Sequence, residues 1–391
     1  MKLKVAVVTE SFLPSVNGVT NSVVKVLETY QKLGIEAIVV APTSPVEQNQ
    51  EFMGFRVVRS NALPFMQFPV AIPGFFLQYV LEDFEPDVIH VASPFMLGAQ
   101  ALYIANRLGI PSVAVYQTDL AGYTERYGIK FARAAVDRMV ASIHSLATVN
   151  LAPTTQTVGY LRGLGVPNVH IWGRGVDIDL YHPKRKQLAT TQLLREEFAQ
   201  DTDVVVGFVG RLAAEKRVEQ MATLFGIDPS VRFLVVGDGP ERARLEADFA
   251  GQPVHFTGKL RGELLADAYA AIDVFVHFGT EETFGQTIQE AQAAGLAVVA
   301  PNSGGPAFLI NNGQDGFLVD HRIEGSYRQV VTRLVQDTEL RARISEGARR
   351  AVLRKSWDDN NQQLIGYYRQ AISQNHQQLS DLHQTGLNEL V

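Results

Sequence analysis

VVVGFVGRLAAEK, residues 204–216, runs from a nearly unbroken apolar stretch into a glycine and then into a basic loop. A short β-branched run of this kind reads as a strand buried on both faces. The same grammar of strand, glycine-containing turn and helical stretch recurs along the chain. KVAVVTE (4–10), EAIVVAP (36–42), DVIHVAS (87–93), PSVAVYQ (111–117) and ATVNLAP (147–153) are strand candidates in the first half. RFLVVGD (232–238), VHFTGK (254–259), VFVHFG (274–279) and AVVAP (297–301) continue the series in the second. Apolar strands alternating with helices predict parallel sheets covered on both faces. Each half opens on a strand and a glycine loop, VVTESFLPSVNGV at 7–19 and VVVGFVGRLAAEK at 204–216. The expectation is two doubly wound α/β units.

The whole chain sets the limits. Its 391 residues exceed one ordinary domain and suit two large ones. A content of 46% apolar and 19% charged residues fits a globular protein. The net charge of −6 gives no basic bias toward nucleic acid. Cysteine is absent, which removes disulfides, thiol nucleophiles and thiolate metal sites and points to a reducing cytoplasm. The opening MKLKVAVVTE is too short an apolar run for a secretory signal, and an acid follows it. No stretch reaches the roughly 20 apolar residues of a membrane helix; FPVAIPGFFLQYVL (68–81) is broken by Pro69, Pro73, Gly74 and Gln78. The chain is expected to be soluble or held at a membrane surface. The polar stretch at 182–203 is expected to carry a helix at the domain junction, and the segment from Ser356 onward reads as an amphipathic helix.

EETFGQTIQE (281–290) carries the chemistry. Thr283 and Gln286 match a capping box, which would put Phe284 and Gly285 in the first turn of a helix. Amides there lack intrahelical partners and, with the helix dipole, suit a phosphate. Gly285 permits close approach, and Glu282 and Glu290 flank the start with groups that accept hydrogen bonds from sugar hydroxyls. The competing reading is a capped surface helix with two solvated glutamates. VGRLAAEKRVE (209–219) adds Gly210, Arg211 and Lys216 at the C-terminal end of a strand, where α/β sheets bind ligands. The fork of Arg211 and the point charge of Lys216 suit a diphosphate, against an ordinary exposed basic loop. In VVGDGPER (235–242), Gly237 and Gly239 read as turn residues first and ligand contacts second.

GRLAAEK, VVGDGPE, EETFGQTIQEAQAAGLAVVA and NSGGPAFLI, in this order and spacing, resemble the retaining nucleotide-sugar glycosyltransferases of family four. The resemblance covers nearly the whole chain. It implies the GT-B fold: α/β, two Rossmann-like doubly wound domains facing across a cleft, with the C-terminal helix returning to the first domain. The boundaries expected are 1–180 for an acceptor-binding domain, 181–355 for a nucleotide-sugar-binding domain and 356–391 for the helix and tail. The resemblance gives Arg211 and Lys216 the donor diphosphate, Glu282 the transferred sugar and Glu290 the nucleotide ribose. The amides of Phe284 and Gly285 would contact the donor, with Gly210 on the basic loop. Gly18, in PSVNGV (14–19), would lie in a loop near the donor phosphates. Arg174, Gly175 and Asp177 fall at the hinge, where Asp177 reads as a cap. His90 reads as a core histidine, because some members place the functional histidine where Ala92 stands here. Gln117 occupies the position of another family histidine, which leaves Asp119 as the nearest ionisable group for the acceptor. The catalytic set expected is therefore Arg211, Lys216, Glu282 and Asp119.

The resemblance also implies front-face transfer with the donor's own phosphate taking the acceptor proton, no cofactor and no obligatory metal. Its wording is nearest to bacterial GDP-mannose-dependent α-mannosyltransferases that glycosylate lipids of the phosphatidylinositol mannoside or glucuronosyl diacylglycerol type. The implied partners are a nucleotide sugar, a lipid or glycolipid acceptor and, peripherally, the cytoplasmic face of the inner membrane. The loop at 63–76 could touch lipid or simply cover the core, and Arg126, Lys130 and Arg133, with Arg138 beside them, could meet an acidic acceptor or form a solvated face. A UDP-glucose or UDP-sulfoquinovose donor, a soluble acceptor and a non-catalytic sugar-nucleotide sensor are the alternatives.

Overall fold

Alternation along single strands builds both sheets. In β1 (Lys4–Val8), Val5 and Val7 face one cluster of apolar side chains while Ala6 and Val8 face another. Successive side chains of a strand point to opposite faces, so a strand apolar at every position must be covered twice. The computed structural model describes residues 2–15, 17–43, 50–65, 68–71, 76–117 and 133–388, with side chains omitted at 62–71 and beyond 377. The chain divides into two units, residues 1–173 with 360–391, and residues 174–359.

The first unit adds β2 (Glu36–Pro42), β3 (Glu51–Phe52), β4 (Phe55–Ser60), β5 (Ala62–Phe65), β6 (Phe68–Ala71), β7 (Val88–Val91), β8 (Ser112–Val115), β9 (Val149–Ala152) and β10 (Val169–Ile171). Eight of its strands form one sheet in the order β10-β9-β8-β7-β1-β2-β4-β3, parallel except at β3, and β5 pairs with β6 as a separate hairpin. One face is covered by the helix Gly18–Leu33 and by the C-terminal helix Trp357–Asn388, through Val26, Leu27, Leu364 and Ile365. The helices Phe76–Phe84 and Met96–Leu108 cover the other. Asn17 caps the helix at 18–33, its Oδ1 accepting from the amides of Val19 and Thr20 at 3.0 Å each. Gly34 ends it in the left-handed region at φ +66°.

His90 is the core residue the sequence suggested. It is buried, its Nδ1 lies 2.7 Å from the Tyr368 hydroxyl, and that hydroxyl is 2.5 Å from Tyr30 Oη. Burial pushes the imidazole down to about 3, so it is neutral at pH 7. This chain of polar groups ties the C-terminal helix to the sheet and to the helix at 18–33.

The second unit contains β11 (Val204–Val209), β12 (Val231–Val236), β13 (Val254–Gly258), β14 (Val274–Val276), β15 (Ala297–Pro301) and β16 (Phe317–Val319). They form a wholly parallel sheet in the order β13-β12-β11-β14-β15-β16. Val205, Leu234, Phe275 and Val298 line one face, and Val206, Phe233, Val274 and Val299 the other. The polar stretch at 182–203 holds a short 3-10 turn at Pro183–Gln187 and the helix Ala189–Glu196. In both sheets the strand order reverses once, between β1 and β7 and between β11 and β14. Among the described residues no helix is long and apolar enough to cross a membrane.

Tyr368→Phe should strand His90 and Tyr30 in the core without a hydrogen-bond partner. A buried polar group left unpaired costs about 1–3 kcal/mol. The variant is expected to unfold at lower denaturant by that order while keeping its circular dichroism spectrum; an unchanged midpoint would show that the polar chain is dispensable.

Candidate active site

Ligands of open α/β sheets lie at the carboxyl ends of the strands, where the strand order reverses. In the second unit the loops after β11 and β14 enter that crevice from opposite sides. Lys216 closes the short turn Ala214–Lys216 after β11. Glu282 lies between β14 and the helix Gln286–Ala293. Their side chains form an ion pair across the crevice. Both are largely but not fully buried, at 23% and 19% side-chain exposure, so a ligand can still reach the pair.

Two more groups face Glu282. His277 follows β14 directly, and its Nε2 lies 3.8 Å from Glu282 Oε2. The Arg174 guanidinium, at the start of the unit, adds positive potential. Burial alone would raise the Glu282 carboxyl, but the charges of Lys216 and Arg174 outweigh it and hold it below the usual range. Glu282 is therefore ionised at neutral pH.

The loops that carry this pair are fixed backbone to backbone. Gly210 N–H donates to Val236 O at 2.9 Å, and Leu212 N–H to Asp238 O at 2.9 Å. A Cβ on Gly237 or Gly239 would collide with the carbonyl of Gly210 or Leu212. These glycines serve the packing of two loops rather than a turn. On the other side, Gly305 N–H donates to Glu282 O at 2.7 Å, and Ser303 Oγ to Thr280 O at 3.0 Å.

The start of the helix differs from the capping-box expectation. Thr283 does not cap it. Gly285 stands at the cap with φ +98° and no side-chain hydrogen bond, and Gln286 is the first helical residue. A positive φ at this position favours glycine, and a Cβ would press on Ile288 and Leu309 at 3.2 and 3.3 Å. The Gln286 amide turns away to donate to Gly175 O at 3.0 Å. Phe284 precedes the helix and is buried in the core.

Glu290, one turn along, belongs to a second cluster. Its Oε2 accepts from Tyr269 Oη at 2.7 Å, and Tyr181 packs edge-on against Tyr269 at 5.3 Å between ring centroids. Burial pushes the carboxyl up to about 7, and the Tyr269 bond only partly offsets it. Arg211 is 62% exposed and paired with Glu215 at 3.1 Å, apart from the Lys216–Glu282 pair. Asp177 accepts from Leu180 N at 2.9 Å and caps a turn, not a helix. Gly18 is the first residue of the helix at 18–33 instead of a loop residue. Asp119, Arg126 and Lys130 lie outside the described residues, as does part of the loop at 63–76. Arg133 pairs with Asp137 at 3.2 Å. Sequence reasoning missed His277, Arg174 as a neighbour of Glu282, and Tyr269. The available signal for His277 was a histidine closing the apolar run VFVHFG. Among the described residues no three His, Asp or Glu side chains gather as metal ligands.

Two Rossmann-type sheets, the second with a charged pair at its switch point, define a glycosyltransferase of the GT-B class. The chain belongs to the glycosyltransferases of group 1 and family 4. The family described as "Glycosyl transferases group 1" matches residues 190–351, and "Glycosyltransferase Family 4" matches residues 16–180. The chain is 43% identical over 377 residues to a GDP-mannose-dependent alpha-mannosyltransferase of Mycobacterium tuberculosis, covering 94% of this chain and 96% of that one. It is 26% identical to that organism's GDP-mannose-dependent alpha-(1-6)-phosphatidylinositol dimannoside mannosyltransferase, over 85% and 88% of the two chains. The sucrose-phosphate synthase of Thermosynechococcus elongatus superposes with a TM-score of 0.78 at 20% identity, over 95% and 100% of the chains, a likeness of fold.

The raised Glu290 carboxyl carries a stability consequence. The folded protein holds this proton more tightly than the unfolded chain, so its contribution is complete below the ordinary carboxyl value and is lost as pH rises through about 7. Glu290→Gln keeps an acceptor for Tyr269 and removes the titration. Thermal melts should show the variant close to the wild type at pH 5 and increasingly more stable than it toward pH 8; parallel curves would refute the assignment.

Proposed function

We propose that the chain transfers mannose from GDP-mannose, with retention, to a hydroxyl of a lipid-linked acceptor to form an α-mannoside. The observation that carries this reading is the 43% identity, over 94% of the chain, to a GDP-mannose-dependent alpha-mannosyltransferase. The phosphatidylinositol dimannoside mannosyltransferase supports a lipid acceptor, here of that type or a glucuronosyl diacylglycerol. Exposed Phe76 and Tyr79, on the helix Phe76–Phe84, favour peripheral contact with the cytoplasmic face of a membrane.

In this reading Lys216, Arg211 and the start of the helix at 286–293 meet the donor diphosphate, where charge grows as the leaving group departs. Glu282 accepts hydrogen bonds from the sugar and Glu290 from the ribose, with the amides of Phe284 and Gly285 toward the phosphates. Gly18 and Asp119 serve the first unit's side of the reaction, Asp119 toward the acceptor. The bond from the anomeric carbon to the phosphate oxygen breaks, and the acceptor oxygen bonds to that carbon on the same face. The acceptor proton passes to the leaving phosphate, giving mannoside and GDP. No metal or other cofactor is assigned a step.

Thermal melts with GDP, GDP-mannose, UDP and UDP-glucose test the donor, because a ligand that binds only the folded state raises the melting temperature. Stabilisation by the guanine pair alone is expected; stabilisation by the uridine pair alone would replace mannosyl transfer with a UDP-sugar reaction. Lys216→Ala and Glu282→Ala should each lower the turnover of labelled mannose transfer by about 10²–10³-fold, the scale of losing one charge-stabilising group. Near-normal turnover in both would sink the site assignment.

A further inference from the structure

His277 is held on every side but one. Its amide donates to Val299 O at 2.9 Å, and its carbonyl accepts from Tyr327 Oη at 2.8 Å. Its ring stacks on Phe208 of β11 with centroids 6.5 Å apart and planes 20° from parallel. Yet neither ring nitrogen has a partner at good hydrogen-bond geometry among the described residues, with only a weak pull from the backbone at Gly279, although the side chain is just 2% exposed. Buried polar atoms are rarely left so, and each such case calls for an explanation. Glu282 Oε2 lies 3.8 Å from Nε2, with the backbone at Gly279 and the Lys216 ammonium also acting on the ring. The carboxylate lies about 0.6 Å beyond the usual upper limit of an N–H···O bond.

Glu282 has Lys216 as its ion-pair partner in this state. The site reading above, on which this inference rests, asks the same ammonium to meet the donor diphosphate. A multiply charged diphosphate competes with Glu282 for Lys216. Once the ammonium turns to it, Glu282 needs another donor to hold its aim at the sugar. We propose that His277 is this donor: a positioning residue whose Nε2–H takes hold of Glu282 when Lys216 turns to the diphosphate.

A neutral ring suits the task. Burial pushes the imidazole down to about 4, a trend that Lys216 reinforces and Glu282 opposes, so at neutral pH it carries one N–H and no charge. It can orient Glu282 without cancelling the negative charge that the sugar hydroxyls meet. The ion pair would then be the resting arrangement, exchanged on donor binding for two separate contacts.

The test separates hydrogen bonding from ring packing. His277→Phe keeps an aromatic ring against Phe208, and His277→Gln returns an N–H near the position of Nε2. In the Phe variant GDP affinity should stay within about twofold, because GDP lacks the sugar. Its GDP-mannose to GDP affinity ratio and the turnover of mannose transfer should fall about 10–100-fold, the range for orienting partners of functional groups. The Gln variant should recover most of both. A Phe variant within twofold of wild type in ratio and turnover would overturn the proposal, and so would equal losses in Phe and Gln. Should the Phe variant fail to fold, ring-15N histidine spectra of the wild type decide. A shifted Nε2–H resonance on saturation with GDP-mannose supports the exchange, and an unmoved one overturns it. If the wild type bound neither GDP nor GDP-mannose, the site reading itself would fall; intact binding with an indifferent His277 removes this inference alone.

Discussion

The reversal of strand order between β11 and β14 is the constraint on which the second unit depends. Connections from the two strands leave in opposite directions, so their loops part at the carboxyl edge and leave a crevice. The chain sends Lys216 into it from one side and Glu282 from the other. On the surface such a pair would contribute at most about 1 kcal/mol. Here the surroundings exclude most water, which strengthens the attraction and also makes each charge expensive to leave alone. That tension keeps Glu282 ionised and Lys216 close, yet leaves the pair open to exchange by a ligand with more negative charge.

Such a pair is useful only if its loops do not drift. Functional groups must be held to within a fraction of an ångström by elements that are themselves locked. The loop after β11 is bonded amide to carbonyl onto the loop after β12, and the Glu282 loop onto residues 303–305. The glycines of VVGDGPE are explained by this contact, since any side chain would force the backbones apart. The loops thus hold two kinds of residue: Gly237 and Gly239 let the backbones meet, and Lys216 and Glu282 carry the charges that pair in the crevice.

The strands of both sheets were legible because strands buried on two faces must be apolar at nearly every position. The strands that escaped notice lie at or near the edges, β3, β4, β10 and β16 in the two sheets, or in the separate β5–β6 hairpin, and all but the six-residue β4 are short. Lys216 and Glu282 were legible from their spacing and from their places after strands. The helix start was misread because Thr283 and Gln286 fit a capping box, whereas Gly285 takes a positive φ and starts the helix two residues later than that pattern implies. His277 was hidden by its setting, because a histidine inside an apolar run reads as core. The partnership of Tyr269 with Glu290 spans 21 residues and two helices, and no local pattern encodes it.

The first sheet has a switch point too, between β1 and β7, and it is treated in the opposite way. Glu10, just past β1, turns its Oε1 onto the amides of Phe95 and Gly98, at 3.1 and 2.9 Å, at the start of the helix Met96–Leu108. Burial pushes this carboxyl up to about 7 against the pull of those amides. A helix start is a ready place for an anion, and here the chain supplies its own. A phosphate would have to displace a half-buried carboxyl that is already hydrogen bonded. The two sheets share the reversal of strand order, so that reversal cannot tell them apart as hosts for an anion. The difference is electrostatic: a carboxyl of the chain occupies the helix start in the first unit, and a lysine–glutamate pair stands at the switch point of the second.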